Sequence, residues 1–132
     1  MRSILLTFFI AITSICFSQT TNDDWIYITA SWDNVNTYYV RKTYVSKKVG
    51  IIKIWIKTNS QKYKFGKKTY KYALIKNLYL IDCSNQRTKT ISSILYDSEG
   101  NVIDSTDIDE SLVEWKNAAP ETIVNKVCSL FN

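Results

Sequence analysis

The stretch from Leu74 to Tyr96, LIKNLYLIDCSNQRTKTISSILY, most constrains the fold of this 132-residue chain. Up to Cys83 it alternates with the two-residue period of a strand. Ile75, Tyr79, Ile81 and Cys83 share one face, with Asn77 its one polar member. Ser84-Asn85-Gln86 is a polar turn, and a second strand rich in β-branched residues runs on to Tyr96. A hairpin of this length commits the chain to a sheet.

The flanking segments read the same way. Trp25 to Ala30 (WIYITA) is a strand, Ser31 to Asn34 a turn, and Asn36 to Arg41 (NTYYVR) a second strand. Val45 to Lys48 is a short connection. Val49-Gly50 then leads into Ile51–Lys57, where Ile52, Ile54 and Ile56 face one way and Lys53, Trp55 and Lys57 the other. Trp55, on the wet side, is expected to be covered by lysine stems. Thr58 to Lys71 is a hairpin arm or a mobile loop, with Gly66-Lys67 suiting a two-residue turn. Asp97 to Asn101 is a turn, Val102 to Ser105 a strand paired back on its predecessor, and Asp107 to Lys116 acidic and irregular. Pro120 fits a first helical position, with Glu121 in the first turn. Ile123, Val124, Val127, Cys128 and Phe131 then lie along one helical face. With short connections throughout, this predicts an α+β fold: about six mostly antiparallel strands with one C-terminal helix packed on them.

The N-terminus has the three-part layout of a secretory signal peptide: Met1-Arg2-Ser3, the apolar run Ile4–Phe17, then small polar residues. Cleavage is expected after Ser18, which gives a signal segment 1–18 and a domain 19–132. The apolar run is too short to span a membrane comfortably, so the mature chain is expected to carry no transmembrane segment. Lipidation at Cys16 is the alternative, to which the bulky Ile15 is poorly suited. Cleavage leaves 16 basic and 12 acidic residues, a net charge of about +4, and two cysteines, Cys83 and Cys128. In an exported chain without histidine, such a pair favours a disulfide over a metal site.

Charge is segregated along the chain. Arg41 to Lys89 holds 14 basic residues and the single acid Asp82, whereas Asp97 to Glu121 holds eight acids and the single base Lys116. Within the basic half Lys62, Lys64, Lys67, Lys68 and Lys71 interleave with Tyr63, Phe65, Tyr70 and Tyr72. Lys62, Tyr63, Lys64, Phe65, Lys67, Lys68, Tyr70 and Lys71 are the candidate partner-binding residues, for an extracellular protein or a polyanion. The plain alternative is a solubilising hairpin whose lysines protect its edges. An exported chain seldom meets nucleic acid, and none is expected as a partner.

Enzyme chemistry finds little to work with: no histidine, no nucleophile elbow and no cofactor motif. The acidic run Asp104 to Glu110 matches no calcium-loop pattern and reads as a solvated loop. Trp25, Trp32, Trp55 and Trp115 could line a sugar-stacking surface, but core or core-rim positions are the ordinary reading. Trp32, in a turn, is the one expected to be exposed.

Several pieces together resemble the surface-adhesin E-like family of small exported bacterial domains. They are Trp25, Tyr38-Tyr39-Val40, Gly50 before Ile54-Trp55-Ile56-Lys57, Tyr79 to Cys83, Arg87-Thr88-Lys89, Tyr96 with Gly100 and Val102, Trp115, Pro120, and Val127-Cys128. Arg41, where an acid is usual, and Pro120-Glu121-Thr122, in place of a Pro-Gly-Ser turn, depart from the pattern. The resemblance implies an extended antiparallel sheet, a C-terminal helix and a Cys83–Cys128 disulfide. It also points to a binding module of the envelope or surface; separately, no cofactor is expected. The alternative is a periplasmic accessory that meets another envelope protein through a sheet edge.

Overall fold

The computed structural model describes residues 24–41, 44–48, 50–118 and 123–131. The expected signal segment with Cys16, and Pro120 and Glu121 at the expected helix start, lie outside them.

The strands are β1 (Trp25–Ala30), β2 (Asn36–Arg41), β3 (Ser46–Lys48), β4 (Ile51–Phe65), β5 (Lys68–Asp82), β6 (Arg87–Tyr96), β7 (Val102–Asp107) and β8 (Lys116–Asn117). A 3₁₀ turn, Glu110–Leu112, precedes β8, and one helix, α1 (Ile123–Phe131), follows it. All strand pairs are antiparallel, in the order β1-β2-β4-β5-β6-β7, with β3 beside β4 and β8 beside β6. The α+β reading with six principal strands therefore holds, and two short strands extend it. Residues 46–48, expected to be a connection, pair with Ile51–Lys53 instead.

Alternation decides which face is buried. Ile52, Ile54 and Ile56 of β4 sit beside Val40 of β2 and Ile81 of β5, and α1 closes over them with Val124, Val127 and Cys128. Val40, Ile52, Ile54, Ile81 and Val127 are fully buried, each worth about 1.5–3 kcal/mol of apolar transfer. A smaller cluster of Ala73, Ile75 and Leu95 lies farther along β5 and β6. The register slips by one residue in three ladders, and the extra residue each time is an isoleucine: Ile28, Ile91 and Ile103. Ile28 and Ile103 pack on the two clusters and Ile91 is buried. The bulge at Ile103 turns that side chain to the Leu95 cluster, away from the face that alternation with Ser105 would give it, whereas Ile28 keeps the face of Ile26.

The nine-residue helix is too short to persist alone, and three contacts fix it. A disulfide joins Cys128 to Cys83, with Cα atoms 5.8 Å apart. Lys47 Nζ donates to the Phe131 carbonyl at 2.7 Å, satisfying one otherwise unpaired oxygen of the last turn. Tyr44 meets the Phe131 ring edge-on at 5.6 Å. Gly50, at φ +70°, accepts a hydrogen bond from the Cys83 N–H, and a Cβ there would press on Ser84 Oγ at 3.2 Å.

The β5–β6 turn is closed by Asp82, which is buried. Its carboxylate accepts from Arg87 Nη2 at 2.7 Å, from Asn85 Nδ2 at 2.9 Å and from the Asn85 N–H at 3.0 Å. The Arg87 guanidinium first, and then Asn85, hold this carboxyl at about 2, below its ordinary 3.8. A depressed folded value means that the stabilisation is complete above the ordinary value and is lost as the pH falls through the folded one. Unfolding monitored from pH 6 to 1.5 should show stability falling between about pH 4 and 2. Asp82→Asn should lower stability at pH 6 by about 1–2 kcal/mol and flatten that slope. An unchanged slope would show that the Asp82 carboxylate is not what titrates.

Candidate functional site

The two longest strands form a hairpin that outruns its neighbours. β4 and β5 stay paired from Ile51↔Asp82 to Phe65↔Lys68, whereas β2 stops at Ser60 of β4 and β6 at Leu74 of β5. The outer pairs project as an arm, which resolves the choice between hairpin and loop in favour of the hairpin. Gly66, at φ +58°, and Lys67 make the two-residue turn, where glycine takes a left-handed conformation without a Cβ penalty.

Six of the eight candidate arm residues, Lys62, Lys64, Phe65, Lys67, Lys68 and Lys71, are exposed. Tyr63 and Tyr70 face each other across the ladder and pack on Ala73, Ile75 and Leu95, so they root the arm. Lys68 Nζ lies 4.9 Å from the Tyr70 ring centre, and Lys62 stands directly opposite Lys71. At the base, Tyr72 is 71% exposed and holds φ +53°, a left-handed conformation that bulky side chains rarely adopt. The arm carries no acid from Gln61 to Tyr72.

A second surface, to which the sequence pointed only through Trp25, Trp55 and Trp115, occupies the sheet face opposite α1. Register sets its rows. Tyr27 pairs with Tyr39, Tyr39 with Lys57, Lys57 with Lys76, and Lys76 with Ile94. In the adjoining row Trp25 pairs with Arg41 and Trp55 with Leu78. Cations sit over the rings: Arg41 is 5.6 Å from the Trp25 centre, Lys57 is 4.8 Å from Trp25 and 4.9 Å from Tyr39, and Lys76 is 5.4 Å from Tyr96. At the far end of the face Arg87 and Lys89 lie 5.2 and 5.0 Å from the Trp115 ring.

None of the four tryptophans belongs to either core cluster. Trp32 is 96% exposed in its turn, as expected. Trp25, Trp55 and Trp115 are half-buried among cations, at the rim and not in the core. The alternation of β4 had put Trp55 on the wet side; its company there depends on pairing across five strands.

The acidic run divides between structures. Asp104 and Asp107 lie on the edge strand β7, Asp109 caps the 3₁₀ turn by accepting from the Ser111 N–H at 2.9 Å, and Glu110 meets Lys53 at 3.7 Å. Among the described residues no three His, Cys, Asp or Glu side chains converge to hold a metal, and no helix is long and apolar enough to cross a membrane. The sheet edges β1 and β7 are six residues long, each bordering a bulged ladder, and β7 is acidic, features that discourage strand addition.

Among curated proteins and solved structures, none matches the chain. The family model described as surface-adhesin protein E matches residues 25–130, from the first residue of β1 almost to the end of α1. Sheet, closing helix and disulfide agree with what the resemblance implied, and the chain belongs to the surface-adhesin protein E family.

Proposed function

We propose that the chain is an exported, non-enzymatic binding module of the cell envelope or surface. After loss of residues 1–18, the domain 19–132 engages an extracellular protein or polyanion through its arm. Family membership supports a surface-binding role. The observation that carries the arm's part is the projection of five lysines, Lys62, Lys64, Lys67, Lys68 and Lys71, beyond the rest of the sheet with no acid among them. Such a cluster attracts negative charge over a Debye length of about 8 Å at physiological salt. Compact ammonium groups suit diffuse attraction to a charged polymer better than paired recognition of one carboxylate. Phe65, 41% exposed beside the tip, adds apolar contact.

Heparin, as a model polyanion, and immobilised matrix protein provide the test. Changing Lys62, Lys64, Lys67 and Lys68 to Glu should weaken binding on the order of 100-fold at low salt and remove most of its salt dependence. Unchanged binding would rule the arm out.

A further inference from the structure

The face opposite α1 contains a cleft of about 240 Å³ lined by Trp25, Arg41, Trp55, Lys76, Ile94 and Tyr96, drawn from five strands. It is smaller than the roughly 300–1,000 Å³ of a drug-sized pocket, and suits one or two six-membered rings. Its walls are aromatic, with fixed cations at their rims. Lys57 stands directly across from Lys76 in the ladder. Neither Arg41 nor Lys76 forms an ion pair among the described residues. Of the acids on this face, Glu110 is held by Lys53 at 3.7 Å, and Asp107 sits on the outer edge strand opposite Ser92.

We propose that this cleft is a second binding site, distinct from the arm, for a pyranose sugar bearing a carboxylate or sulfate. Aromatic rings present electron-rich faces to the C–H face of a pyranose and lose little conformational entropy in doing so. Arg41 offers a planar fork to a carboxylate or sulfate, and Lys76 adds a point charge. A neutral sugar would leave these cations unanswered, and a bare anion would leave the rings unused. A nucleotide also combines a flat ring with negative charge. Its base amino groups need acceptors, however, and apart from the Tyr96 hydroxyl the side chains lining the cleft carry only donors.

The test is tryptophan fluorescence titration of the disulfide-bonded chain with tetragalacturonate, a carboxylate probe, and with a sulfated heparin disaccharide. Maltotetraose and AMP serve as comparisons. Saturable binding of at least one acidic probe, about tenfold or more tighter than maltotetraose and AMP, is expected. Lys76→Gln and Trp55→Phe, each with an unchanged melting curve, should weaken that binding by about tenfold, while Lys62→Glu with Lys64→Glu leaves it intact. Equal binding of maltotetraose or AMP, no binding of either acidic sugar, or a loss that follows the arm variants alone would overturn the proposal. The arm reading stands or falls separately on heparin and matrix-protein binding.

Discussion

Reduction of the Cys83–Cys128 bond is expected to lower the stability of the domain by about 4 kcal/mol, the chain-entropy value for a loop of this size. The two cysteines are 45 positions apart, and the loop between them contains β6, β7, β8 and part of α1. Its ends are far apart in the reduced unfolded chain, so the bond removes many unfolded conformations. In the folded state it holds the nine-residue α1 against β4 and β5, where Val124 and Val127 fill the core. In a domain of this size the expected loss is a fall in Tm of about 15–20 °C, measured by thermal unfolding with and without reductant. The Cys83→Ala, Cys128→Ala double variant should melt with the reduced protein. Thiol labelling of the denatured, unreduced chain should find neither cysteine free. A reduced protein melting within about 3 °C of the oxidised one would show that packing alone holds the helix.

Ile54→Ala should cost about 3–4 kcal/mol in urea unfolding. Ile54 is fully buried between Ile52 and Ile56 on the helix side of β4; it pairs with Tyr79 of β5, and on the other edge β4 is held by β3 up to Lys53 and by β2 from Ile56, which limits collapse into the space. Trp32→Ala removes a much larger side chain, yet should change stability by no more than about 0.5 kcal/mol because that ring is 96% exposed. Equal costs for the two variants would contradict the assignment of faces.

Faces of this kind were legible in the sequence wherever alternation was unbroken. The split of β4 into an isoleucine side and a lysine–tryptophan side emerges from a period of two, while the bounds Trp25–Ala30 and Asn36–Arg41 and the polar turn after Cys83 follow from composition. Ser46-Lys47-Lys48 and Lys116-Asn117 have no apolar period at all. They are strands because β4 and β6 offer them free backbone groups, which is a tertiary fact. The arm's composition leaves a hairpin and a loop both open, and the half-burial of Tyr63 and Tyr70 is against a cluster that includes Leu95, a residue of another strand. The cleft was least legible. Trp25, Trp55 and Tyr96 are separated by tens of residues, and only the sheet order and the register across five strands bring them to one face.

The hairpin tip and the closing helix stand at the two ends of one polypeptide strand. From Lys68 to Cys83 the route is β5 itself, about 50 Å of extended backbone, and at Cys83 it passes through sulfur into α1. A pull between a surface held at the tip and an anchor beyond the helix would travel this covalent path, with no hydrogen bond in series to give way. Reducing agents would change that response without touching the contact surface at all, since tension would then load the contacts of α1 and, behind them, the hydrogen-bonded strands β6, β7 and β8.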